Sequence, residues 1–132
     1  MTYFSNKKIS TLGFKKTGRD IKISEKSSIY NHERIEIGDQ SRIDDFCIIS
    51  GKVKIGRNVH ITPGCIIAGG DKGIFIEDFV TLAYGVKIFS QSDDYSGLTM
   101  TNSTIPKQFK NEKKKKVIIK KYTIIGAGVI VL

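Results

Sequence analysis

An all-β solenoid is the fold class this sequence predicts, and three features predict it. Isoleucine recurs at every sixth residue through Ile37, Ile43, Ile49, Ile55, Ile61 and Ile67. Four places after these isoleucines stand small or β-branched residues: Ser41, Cys47, Val53, Val59 and Cys65. Directly after them come Gly38, Asp44, Ser50, Gly56, Thr62 and Ala68, small or acidic as a tight corner requires. A spacing of six fits neither the 3.6-residue helical turn nor the alternation of one strand. Short strands joined by corners satisfy it, each repeat burying its apolar side only against its neighbours.

The elements follow in order. Residues 1–22, containing "TYFSNKKISTLGFKK", are expected to cap the solenoid with a short helix or strand. The solenoid is expected over 23–132. Ile23 and Ile29 are one spacing apart and precede a two-residue slip; the regular run then extends from Ile37 to Ile67. After Ile67 the phase slips by three residues through "AGGDKG", which reads as a bulged corner at Gly69–Gly73. A phosphate cradle is the rarer use of such glycines. The phase returns at Ile76, Leu82 and Ile88, with Val80 and Val86 at the second inward position. Residues 89–116, "FSQSDDYSGLTMTNSTIPKQFKNEKKKK", are too long for a corner and too polar for core, so they should project as an arm. The phase resumes at Ile119, Ile125 and Val131, with Thr123 and Val129.

Composition narrows the function. The 132 residues suit a single domain, and 22 Lys+Arg against 13 Asp+Glu leave a net charge of +9. That balance suits phosphate-bearing partners without choosing among nucleic acid, a nucleotide-linked sugar and coenzyme A. Aromatic and basic residues are not interleaved on one periodic face, which argues against nucleic acid. No apolar run is long enough for a membrane span, and the N-terminus lacks a signal-peptide pattern, so a cytoplasmic protein is expected. Cys47 and Cys65 stand eighteen apart at inward positions. Their backbones should lie close enough for a disulfide, but two small buried thiols are the expectation.

The hexad aliphatic-[Gly/Ala/Glu/Asp]-x-x-[Ser/Thr/Ala/Val]-x resembles that of the hexapeptide-repeat acyltransferases over roughly residues 21 to 132. The resemblance implies a left-handed parallel β-helix with three hexads per triangular coil, a hand that crossover preference alone would not predict. It implies a homotrimer with active sites between subunits, acetyl-CoA as co-substrate, no metal, and a sugar or nucleotide-linked sugar as acceptor. The stretches "SDDYSG" and "TNSTIP" are similar to a sub-group serving bacterial surface-polysaccharide sugars, whose arm folds over a neighbouring subunit. Asp94, Tyr95 and Ser96 are the acceptor contacts this implies. "IIGAGVIV" is similar to the segment lining the coenzyme groove, making Gly126 and Ala127 candidate contacts. Lys113–Lys116 could meet phosphates, although charge runs are more often solvated. Relatives carry further coils and a closing segment, so an apolar "VIVL" at the end suggests a C-terminally truncated chain.

The general base is less direct. Maltose- and galactoside-type relatives follow a motif similar to "LAPxVxIxxxxH"; laid on "LAYGVKIFSQSD", its histidine position falls on Asp93. A free aspartate near its ordinary pKa of about 3.9 is a poor base for a hydroxyl unless burial or a neighbour such as Asp94 raises it. An amine acceptor needs less help. Of the two histidines, His32 is expected in an exposed loop, whereas His60 points outward from the coil before the slip. His60 and Asp93 fall on different faces, so they are expected to converge only across a subunit interface. His60 would act as base, with Asp93 orienting its ring or binding the acceptor. The rival reading is a non-catalytic assembly subunit on the same scaffold. A zinc enzyme is excluded by the shortage of histidines.

Overall fold

The computed structural model describes residues 1–132 and is a left-handed parallel β-helix. Three parallel five-stranded sheets form the faces of a triangular tube. The first face stacks Lys16–Thr17, Ile35–Ile37, Val53–Ile55, Ile74–Ile76 and Val117–Ile119. The second stacks Lys22–Ile23, Arg42–Ile43, His60–Ile61, Thr81–Leu82 and Ile124–Ile125. The third stacks Ser28–Ile29, Ile48–Ser50, Ile66–Ala68, Lys87–Phe89 and Ile130–Val131.

Register explains the six-residue period. Ile37, Ile55, Ile76 and Ile119 are successive partners on the first face; Ile23, Ile43, Ile61, Leu82 and Ile125 are on the second. Ile29, Ile49, Ile67, Ile88 and Val131 follow on the third. Each column points into the tube, and the second inward positions Ser41, Cys47, Val53, Val59, Cys65, Val80 and Val86 are buried beside them. Burying an Ile side chain contributes about 1.5–3 kcal/mol, so these columns dominate the stability of so thin a body. On the last rung Thr123 is half-buried and Val129 exposed.

Corners need backbone that L-residues adopt reluctantly. At one edge Asp20, Gln40, Asn58, Phe79 and Tyr122 all have positive φ. Asn and Asp tolerate that region; Phe and Tyr do not, and here their rings stack, Phe79 on Tyr122, with centroids 5.2 Å apart. The three-residue slip is an extra corner turn, and Gly69 has no room for a Cβ because the Lys52 carbonyl lies against it. Close stacking, not phosphate binding, accounts for that glycine.

The cap is shorter than expected. An α-helix spans Asn6–Thr11, its N-terminus capped by the Ser5 hydroxyl accepting from the Lys8 N–H, and Ile9 is its buried residue. The first rung opens at Lys16, so the expected boundary at 22/23 falls inside it. Ile23 and Ile29 of this rung follow the period, but its first strand carries Thr17 where the next rung has Ile37, so no aliphatic marks it. His32 is also not the expected exposed loop residue: it starts a 3₁₀ turn and is half-buried, edge-on to Phe14 at 4.9 Å. Cys47 and Cys65 are both free and buried, donating to the carbonyls of Thr62 (3.1 Å) and Ala83 (3.3 Å). A hydrogen bond with Cys65, together with burial, pushes the Cys47 thiol up. No helix is long and apolar enough to cross a membrane.

Candidate functional site

His60 and Arg42 are register partners on the outward side of the second face. Asp44 stands at the corner after Arg42, buried, with its side chain 2% exposed. Its backbone N–H bonds the Ile61 carbonyl of the next rung at 3.0 Å, which fixes where the carboxylate sits. His60 Nε2 lies 2.7 Å from Asp44 Oδ2. Arg42 donates from Nε to Oδ1 (2.8 Å) and from Nη2 to Oδ2 (3.3 Å), and the Tyr3 hydroxyl donates to Oδ1 at 3.1 Å. Burial works against the charge, but hydrogen bonds from Arg42 and His60 hold the Asp44 carboxyl below its ordinary value. Burial and the Asp44 charge push the Tyr3 phenol up.

The arm leaves after the third face. Gln91–Ser92 pairs antiparallel with Lys113–Lys114, so outgoing and returning chains form a two-stranded stem. Asp93 follows the stem; its carboxylate accepts from the Asn102 N–H at 3.3 Å and lines a cleft of about 340 Å³ with Ser92, Ser103, Lys110 and Glu112. Asp94 is buried and fully engaged, accepting from the Ser96 N–H (2.9 Å), the Ser96 hydroxyl (3.0 Å) and the Thr99 hydroxyl (2.8 Å). The Ser96 N–H, then the Ser96 and Thr99 hydroxyls, hold its carboxyl below the ordinary range. It organises the loop through these three donors. Tyr95 is 90% exposed, and Ser96 is exposed too, though spoken for by Asp94. A larger cleft of about 520 Å³ at the root of the arm is lined by Lys113–Lys116, Ser90 and Phe89.

Within one chain His60 and Asp93 do not meet, since one lies on the second face and the other beyond the third. Within the chain the carboxylate beside the His60 ring is Asp44, not Asp93. Sequence reasoning placed Asp44 only as a corner residue and overlooked Arg42 and Tyr3. The available signal was an acidic corner between Arg42 and His60, which are eighteen apart and therefore stacked. Gly126 and Ala127 are exposed on the last rung, with nothing near Gly126 that a Cβ would meet. No group of three or more His, Cys, Asp or Glu side chains could hold a metal ion.

Comparison with known proteins bears on this arrangement. The family model described as bacterial transferase hexapeptide (six repeats) matches residues 34–69. The dTDP-4-amino-4,6-dideoxy-D-glucose acyltransferase of Escherichia coli is 38% identical over 135 residues, covering 100% of this chain and 70% of that protein. The N-acyltransferase AntD of Bacillus cereus, solved with dTDP and 3-hydroxybutyryl-CoA, superposes with a TM-score of 0.95 at 44% identity, covering 97% of this chain and 68% of AntD. A mutant AntD solved with dTDP-4-amino-4,6-dideoxyglucose and coenzyme A gives a TM-score of 0.96 at 44% identity, over 98% of this chain and 69% of AntD.

Proposed function

Because this chain belongs to the hexapeptide-repeat sugar acyltransferases, we propose that it transfers an acetyl group from acetyl-CoA to the amine of a nucleotide-linked amino sugar. The observation that carries the reading is the likeness, over nearly the whole chain, to an N-acyltransferase solved with a dTDP-linked amino sugar and coenzyme A. The cluster on the second face supplies a base that this reaction can use.

In this reading the acceptor amine attacks the thioester carbonyl, forming the C–N bond as the C–S bond breaks. His60 takes the proton released by the amine, and a backbone N–H receives the developing oxyanion. The proton then goes to the departing thiolate. Asp93 binds the acceptor together with the arm residues Asp94, Tyr95 and Ser96, Asp94 through the loop it shapes. Gly126 and Ala127 let the pantetheine arm approach the backbone, and the exposed lysines of 113–116 suit its phosphates. The same reading makes the protein a cytoplasmic homotrimer serving surface-polysaccharide synthesis, with His60 of one subunit meeting the arm of another.

The test is thiol release from acetyl-CoA in the presence of dTDP-4-amino-4,6-dideoxyglucose, with sedimentation to fix the assembly. His60→Ala should lower kcat by about 10²–10⁴-fold, the range for a general base. Activity within about twofold of the parent protein would remove His60 from the mechanism.

A further inference from the structure

We propose that Lys110 and Glu112, set in the polar cleft inside the arm, are a specificity-determining pair that reads the hydroxyl beside the amine of the acceptor sugar. The proposal rests on the amino-sugar reading above and adds which part of the sugar the chain selects.

The cleft holds about 340 Å³ and is lined by Gln91, Ser92, Asp93, Ser103, Lys110 and Glu112, with no apolar side chain among them. The Lys110 side chain is only 7% exposed. Its ammonium carries three donors, and one carbonyl, that of Asn102 at 2.8 Å, accepts from it. Glu112 Oε1 stands 3.4 Å from Nζ, too far for a strong hydrogen bond, and Oε2 accepts from Gln91 Nε2 at 3.3 Å. Burying a lysine in such loose company is costly unless something else completes its donors. A hydroxyl does so, since it accepts from the ammonium and donates to the carboxylate at once. Asn102 sets the spacing: its N–H reaches Asp93 and its carbonyl holds Lys110, so one residue fixes the acceptor-binding carboxylate and the ammonium together. Charge decides the ligand. Two carboxylates against one ammonium disfavour phosphate and suit an uncharged hydroxyl next to an amine. Phosphate groups are drawn instead to the adjoining cleft of Lys113–Lys116, which shares Gln91 and Ser92 with this one.

The experiment measures kcat/KM for thiol release from acetyl-CoA with dTDP-4-amino-4,6-dideoxyglucose and with its 3-deoxy counterpart, which keeps the amine and lacks the neighbouring hydroxyl. The parent protein should prefer the first by about a hundredfold or more, because the deoxy sugar leaves the buried pair uncompleted. Rates within about threefold of each other overturn the proposal without recourse to any variant. Lys110→Met and Glu112→Gln should each lower kcat/KM for the complete sugar by about 10–100-fold and leave the deoxy sugar within about twofold of the parent protein. A pair that merely braces the arm makes a different forecast: each variant then lowers both sugars by the same factor, and that result sinks the inference. Thiol release from neither sugar would fail the amino-sugar reading itself, and this one with it. Turnover without discrimination leaves that reading standing and removes this one.

Discussion

Lys114 Nζ reaches the Asp71 carboxylate at 2.9 Å, and so joins two of the three places where the six-residue period breaks. Asp71 sits in the three-residue slip, and Lys114 is in the returning strand of the arm; Arg34 flanks the same carboxylate at 3.7 Å. The insertion is therefore the arm's mooring on the tube. Hydrogen bonding and charge from Lys114 hold the Asp71 carboxyl low, and the same contacts hold Lys114 high.

Asp71→Ala should loosen the arm without unfolding the solenoid. Limited proteolysis should then cut within residues 93–112 faster than in the parent protein, and added salt should shrink the difference, because an exposed pair is screened. The reversed pair, Asp71→Lys with Lys114→Asp, should restore resistance. Equal cleavage in all three proteins would show that the stem alone holds the arm.

Asp94 should tie arm order to pH. Its carboxyl is depressed by the Ser96 and Thr99 donors, so ordering the loop favours the ionised form. The contribution is complete above the ordinary value of about 3.9 and is lost as pH falls through the depressed one. The Ser96 amide resonance should accordingly shift only below about pH 3.9, and Asp94→Asn should show the shifted position at neutral pH. A transition above that value contradicts the assignment.

Removing one inward aliphatic should be costly. Ile61→Ala empties part of a column in which Ile43 and Leu82 are its register neighbours, and the side chain is fully buried. Equilibrium denaturation should register a loss of about 2–5 kcal/mol, the range for such truncations. A loss under about 1 kcal/mol would mean the neighbouring rungs collapse onto the gap.

The corner at Asn58 tests the backbone argument. Its φ is 51°, a conformation Asn tolerates and β-branched residues resist. Asn58→Val should lower stability by about 1–2 kcal/mol, whereas Asn58→Gly should be neutral or stabilising. The same denaturation measurement separates them, and equal losses would point to the Asn58–Gln40 side-chain contact instead.

The sequence by itself determined the tube. A six-residue period assigns each side chain to the inside, the outside or a corner, because burying an aliphatic column leaves no other arrangement for Ile37 through Ile67. It also showed the arm and the slip, since a long polar stretch cannot continue the column. The handedness came from family resemblance, and the first strand of the first rung gave no signal because Thr17 stands where the next rung has Ile37.

Only the tertiary structure decided which polar side chains meet. Asp71 and Lys114 are forty-three residues apart, a separation that no eighteen-residue repeat announces, and the stacking of Arg42 on His60 does not say which donors the Asp44 carboxylate takes. The physical reason is that periodicity follows from the shared cost of exposing apolar surface, which every rung bears alike. Pairings among outward groups depend instead on local corner geometry, on insertions and on the rotamers that bring one carboxylate within reach of a particular donor.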